Sequence, residues 1–175
     1  MKRIVWTFGL IAGAVLGAMM LLTALLKDRI PLDKAELIGY TTMVAAFLMV
    51  YFGIKSYRDT VLKGPIRFGR AFQVGVLITA VSCVCYSAAW QVISRRFYPD
   101  FAARYADGII AQAKASGASA SEIEAKRVSM ATYQAQYKNP LMNFAMTLVE
   151  PLPVGLLIAL VSAGVLARRR EAAGP

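Results

Sequence analysis

Histidine is absent from the 175 residues, and cysteine occurs only at Cys83 and Cys85. Without histidine the chain lacks the side chain that most often serves as general base and as metal ligand, so imidazole-based triads and metal sites are excluded. The two cysteines stand two positions apart in one apolar run; on a helix they point in different directions and cannot pair with each other. Acidic residues are scarce too, 10 against 20 Lys and Arg, which leaves a formal net charge of +10. The sequence also has no phosphate-binding glycine loop, no acidic pair inside an apolar run and no thiol beside an evident base. The expectation is a protein that is not an enzyme, with no cofactor and no metal.

What the chain has in excess is apolar length. Hydrophobic residues make up 58% of it, more than an ordinary soluble domain carries. Ile4 to Leu26, Leu37 to Ile54 and Ala71 to Ser94 are free of charge, and Leu141 to Ala167 is uncharged except for Glu150. Each is long enough to cross a hydrocarbon core of roughly 30 Å. Lys2 and Arg3 precede the first run, but it is longer than the apolar region of a signal peptide and reads as a retained helix. Tyr40, Tyr51 and Trp90 fall where interfacial aromatics sit. Membrane helices are therefore expected at 4–26, 37–54, 71–94 and 141–167, within a single domain that spans 1–175.

The basic residues gather at one side of such a bundle. Lys2 and Arg3, then Lys55, Arg58, Lys63, Arg67 and Arg70 in the second loop, and Arg168, Arg169 and Arg170 in the tail are opposed there only by Asp59 and Glu171. The first loop, with Lys27, Arg29 and Lys34 beside Asp28, Asp33 and Glu36, is neutral. An excess of Lys and Arg in short loops marks the cytoplasmic face, so both termini and the second loop are expected there. The charge is a topology signal, and nucleic acid is not an expected partner.

The connection from Arg95 to Pro140 is too long to be structureless. After Pro99, Phe101, Tyr105 and Ile109 recur at fourfold spacing, and Ser116-Gly117 supplies a stop. Ser119 and Glu122 have the spacing of a capping box, followed by Ile123, Met130, Tyr133 and Tyr137 on one face until Asn139-Pro140. The pattern predicts a helical hairpin over about 99–138, either packed on the membrane helices or serving as a cap that binds a partner or ligand. The fold class expected is all-α: a four-helix transmembrane bundle with an extramembrane helical hairpin between the third and fourth membrane helices.

Three sets of residues are candidates for more than bulk packing. Gly9, Gly13 and Gly17 form GxxxGxxxG in the first helix, a flank on which another helix of this chain, or of a second copy, can approach closely. Arg58, Lys63, Arg67 and Arg70 could hold anionic lipid headgroups, or serve topology alone. Glu150, followed by Pro151 and Pro153, is the one ionisable residue within an apolar run, and such a residue is by default a functional hypothesis. Counted from Leu141 it lies roughly 13 Å along a helix, near a midplane; counted from Arg168, roughly 27 Å, near the outer boundary. The prolines favour a cap or kink where a helix starts near Pro151. A proton or solute site, and pairing with a buried arginine or tyrosine that the sequence does not identify, are the alternatives.

The phrases GIKSYRD (Gly53 to Asp59), GPIRFGRAFQVG (Gly64 to Gly75), YPDF (Tyr98 to Phe101), YKNP (Tyr137 to Pro140) and EPLPVG (Glu150 to Gly155) occur in this order around four hydrophobic runs. Together they resemble the bacterial membrane-protein family known as domain of unknown function 4199. The resemblance implies a four-helix integral membrane protein without an assigned activity and supplies no catalytic residues; the expected location is the bacterial inner membrane. The expected role is non-enzymatic interaction or membrane support, with lipids, a protein partner or a second copy as partners; the alternative is small-solute or proton-coupled transport through Glu150.

Overall fold

In the computed structural model, residues 1–26 and 32–168 are described. Helix α1 runs Lys2–Leu25, α2 Leu32–Ser56, α3 Phe68–Phe97, α4 Phe101–Ala115, α5 Ala120–Lys138, α6 Pro140–Val149 and α7 Leu152–Arg168. No strand occurs among the described residues, in keeping with the all-α expectation. Four segments, Lys2–Leu25, Leu37–Leu62, Phe68–Phe97 and Pro140–Ala167, are long and apolar enough to cross a membrane. Residues 27–31 of the first loop, and the tail arginines Arg169 and Arg170, lie outside the described residues.

The end of the second span differs from the sequence reading. The second span does not stop near Ile54: α2 continues to Ser56 and then through one widened turn of π type, Tyr57–Leu62, before Lys63 enters the left-handed region at φ 48°. Arg58 is thus on a helix and not in a loop. Loss of hydropathy does not end a helix, because Lys and Arg are themselves good helix formers. The fourth span is interrupted, α6 ending at Val149 and α7 resuming at Leu152.

Helices in lipid gain little from the hydrophobic effect against each other, so close approach and interhelical hydrogen bonds hold them together. Here α1 lies on α3 through its glycines. A Cβ on Gly9 would come within 2.7 Å of the Val81 Cβ, one on Gly13 would collide with the Cys85 Cβ, and one on Gly17 would meet the Ala89 Cβ at 3.3 Å. The backbones come close enough for the Ser82 hydroxyl to donate to the Gly9 carbonyl at 3.1 Å. On its opposite side α3 meets α2 and α7, where Phe47, Ile54, Ile78 and Leu166 are fully buried. Outward-facing Trp6 and Leu157 are 57% and 61% exposed, a surface suited to lipid.

Helix α3 has 30 residues, about 45 Å at 1.5 Å per residue, and is longer than the hydrocarbon core. Its far end carries α4 and α5. Gly117, at φ 77°, turns the chain after α4, and Ser119 then starts α5 with a full capping box: its hydroxyl accepts from the Glu122 amide at 3.3 Å while its own amide donates to the Glu122 carboxylate at 2.8 Å. Donation from the Ser119 hydroxyl and amide holds the Glu122 carboxyl below the usual range. The two helices meet through Tyr105 and Tyr133, with ring centroids 5.4 Å apart, and Phe101 and Tyr137 at 5.6 Å. The fully buried positions of α4 are Ala106 and Ala113, not the row of Phe101, Tyr105 and Ile109, and Tyr105 is exposed. Small residues let the helices close up, and the large rings fill the rim.

The α1–α3 contact predicts a matched pair of variants. Gly13→Ala should destabilise by about 1–3 kcal/mol, the scale of overpacking. Gly164→Ala, with nothing within 4 Å of its added Cβ, should be neutral or slightly stabilising. Thermal denaturation of both in the same detergent checks this, and equal behaviour would contradict the contact.

Candidate functional site

The segment that shapes the site is Asn139 to Gly155. Asn139 caps α6, its side-chain oxygen accepting from the Leu141 and Met142 amides at 2.9 and 3.3 Å, and Pro140 occupies the first turn, where a missing N–H costs nothing. In sequence this pair read as the end of α5; it is also the start of α6. Ten residues later Glu150 closes the helix at φ −56°, ψ −54°, a helical conformation that a residue ahead of proline usually avoids. Pro151 and Pro153 have no N–H, so the carbonyls of Thr147 and Val149 lose the donors that a continuous helix would give them. The Gly155 amide donates to the Pro151 carbonyl at 3.0 Å, which makes Pro151 the residue that opens α7. Glu150 stands one position earlier, and its carboxylate faces the phenol of Tyr86 on α3. The tyrosine partner that could not be identified from sequence is Tyr86, half-buried at this break.

Neighbours change at the same point. Helix α7 packs against α2 and α3, whereas α6 packs against α3 and α5. Beyond the break, a cleft of about 870 Å³ opens between α1, α2, α3 and α6 and beneath α4 and α5. Leu16, Met19, Met20 and Thr23 line it from α1, and Gly39, Tyr40, Thr42 and Met43 from α2. Tyr86 and Trp90 come from α3, Met146, Thr147 and Glu150 from α6 and its end. Tyr98, Phe101, Tyr105, Tyr133 and Tyr137 complete the wall from the α4 and α5 side. Glu150 is the one acidic group in this wall, and no Lys or Arg lines it among the described residues.

The rings form a connected lattice. Trp90 meets Phe101 edge-on at 5.0 Å and Tyr98 at 6.0 Å, and Phe101 stacks on Tyr105 at 6.1 Å. Tyr133 and Tyr137 are 5.7 Å apart. A seam of hydrogen bonds fixes the lattice to the bundle. The Trp90 indole N–H donates to the Tyr137 hydroxyl at 2.9 Å. The Gln91 amide donates to the Asn143 side-chain oxygen at 2.9 Å and to the Pro140 carbonyl at 3.2 Å, while the buried Asn143 amide reaches the Tyr137 carbonyl at 3.4 Å. Burial pushes the Tyr133 phenol up to about 12 and raises that of Tyr137, so both stay neutral and available as hydrogen-bond donors.

The other sequence candidates lie elsewhere. Gly9, Gly13 and Gly17 face α3 of the same chain. Of the basic set, Arg58 pairs with Asp59 at 2.7 Å, and Arg70 donates to the Tyr57 hydroxyl at 3.2 Å and to Gln73 at 3.0 Å, its guanidinium over the Tyr57 ring at 5.8 Å. Lys63 and Arg67 are exposed. None of these residues lines the cleft that Glu150 lines. Sequence reasoning missed Tyr86 as a site residue and took Trp90 only as an interfacial ring. Their spacing of four, which puts both on one side of α3 with Gly-free turns between, was the available signal.

The seam has a direct test. Trp90→Phe keeps a ring but removes the indole donor, so it should cost about 0.5–1.5 kcal/mol, the net worth of one hydrogen bond, and raise amide exchange in α5 around Tyr137 without affecting α1. Exchange mass spectrometry in detergent reads this directly; unchanged protection in α5 would contradict the anchoring role.

Four apolar spans and a helical insertion between the third and fourth define a small α-helical membrane protein. The chain belongs to the family described as a protein of unknown function (DUF4199), whose model matches residues 7–168. No curated protein and no solved structure matches it significantly.

Proposed function

We propose that this is a non-enzymatic protein of the bacterial inner membrane that binds a small amphipathic molecule in the cleft beneath α4 and α5. Both termini and the α2–α3 turn lie in the cytoplasm, and α4 and α5 form an extramembrane hairpin on the opposite side. The cleft itself carries the reading: about 870 Å³ of space, walled by rings and methionines with one carboxylate, at the end of a bundle whose other contacts are tight. Pockets that hold small molecules have this make-up, mostly apolar and aromatic with few polar groups. Four methionines in the wall suit ligands of varied outline, because an unbranched thioether chain adapts its shape.

The orientation rests on Lys2, Arg3, Lys55, Arg58, Lys63, Arg67 and Arg70 at the end of the bundle away from the cleft. The exposed pair Lys63 and Arg67 would meet anionic lipid headgroups there, each contributing on the order of 1 kcal/mol. A non-enzymatic role is favoured because a lone carboxylate among neutral phenols offers no activated nucleophile and no second acid or base. Transport through Glu150 is the second reading, favoured by the position of that carboxylate at a break in a membrane span.

Trp90 serves as an internal reporter once the other tryptophan is removed by Trp6→Phe. The neutral fluorophore N-phenyl-1-naphthylamine, titrated into this single-tryptophan protein in nanodiscs, should show saturable energy transfer from Trp90. Filling the cleft with Thr42→Phe and Met146→Phe should reduce that saturable part at least tenfold. Transfer that rises linearly with probe and is the same in the filled variant would refute binding in the cleft.

A further inference from the structure

We propose that the cleft selects a lipophilic organic cation, a protonated or quaternary amine or a comparable onium group on an apolar body, with its charge held between the Glu150 carboxylate and the surrounding rings. This rests on the cleft being a binding site, and deepens it by naming the charge of the occupant. Three observations point the same way. Glu150 is exposed yet lines the cleft, and among the described residues the only side chain acting on it is the neutral phenol of Tyr86, so its charge has no cationic partner among them. The second observation is the break itself. Pro151 and Pro153 leave the carbonyls of Thr147 and Val149 without helical donors, and the negative end of α6 is thereby directed at the place where Thr147 and Glu150 line the wall.

The third observation is the set of rings. Trp90, Phe101 and Tyr137 are joined edge to face and by the indole hydrogen bond, and Tyr40 and Tyr86 stand on other sides of the same space. Aromatic faces attract cations through their quadrupole, and cages of this kind are how quaternary ammonium groups are recognised in water-poor sites. An anion would meet the carboxylate and the negative helix end with no Lys or Arg in the described wall to offset them. A neutral guest would gain the apolar contacts alone. A cation gains both, and its apolar body finds room among Met19, Met20 and Met43 on the lipid-facing helices.

The test uses two ions of nearly equal size and shape and opposite charge, tetraphenylphosphonium and tetraphenylborate, as competitors of the neutral naphthylamine probe in the Trp6→Phe protein. Tetraphenylphosphonium should displace the probe saturably and at least tenfold more effectively than tetraphenylborate, once partition into protein-free nanodiscs is subtracted. In Glu150→Gln the affinity for phosphonium relative to that for the neutral probe should fall about tenfold, equivalent to ~1.4 kcal/mol. Equal displacement by the two ions in the unmutated site would overturn the charge preference whatever the Gln variant does, while leaving the cleft reading intact. Phosphonium affinity unchanged by Glu150→Gln, with probe binding retained, would overturn the role of the carboxylate. Absence of saturable probe binding in every form removes the cleft as a site, and with it this inference.

Discussion

The interruption at Glu150-Pro151-Leu152-Pro153 is the constraint on which the rest of the architecture depends. Two prolines two residues apart remove two helical hydrogen bonds on nearly opposite sides of the helix, and a backbone in an apolar medium tolerates that only where protein or a wet cavity covers it. Pro151 is fully buried, so protein covers one side; the cleft lies on the other. Had the fourth span continued straight, α6 would have kept the neighbours of α7 and closed the space between α2 and α3. Because it breaks, α6 leans on α3 and α5, and room is left beside α1 and α2.

That room stays open because its ceiling is held from elsewhere. The extra length of α3 carries Trp90 and Gln91 to the level of α5 and α6, where one indole hydrogen bond and two amide hydrogen bonds tie three helices together. Ring contacts from Tyr98 through Phe101 to Tyr105 and Tyr133 then spread the attachment across α4 and α5. Alongside, the packing has a different character, with α1 seated on α3 backbone to backbone through small residues from Gly9 to Gly17. Close packing on one side of α3 and the cleft on another therefore share the same length of the helix.

Polar groups inside the spans divide by the same logic. Ser82 is spent on the Gly9 carbonyl and Thr147 on the Asn143 carbonyl, both serving packing of the backbone. The buried Thr79 and Ser87 hydroxyls have no hydrogen-bond partner in the structure, and Thr79 lies against Gly155 at the start of α7. Glu150 is the charged member of this group that lines the cleft, which is why its chemistry, and not theirs, defines the site.

Much of the frame was legible in the residues. Apolar run length places the four spans, the Ser119 and Glu122 spacing places the start of α5, and the two prolines mark a break, because each of these is a local effect of solvation, capping or a missing N–H. Charge could not show that α2 continues past its apolar stretch through Tyr57 to Leu62, since a helix outlasts its hydropathy. Nor could periodicity distinguish the rings of α4 and α5 as walls from the same rings as core, because an apolar stripe looks alike whatever it covers. The meeting of Glu150 with Tyr86, and of Trp90 with Tyr137, was decided by tertiary structure alone: these pairs are 64 and 47 positions apart, and only the packing of α3 against α6 and of α5 against α6 brings them to one place.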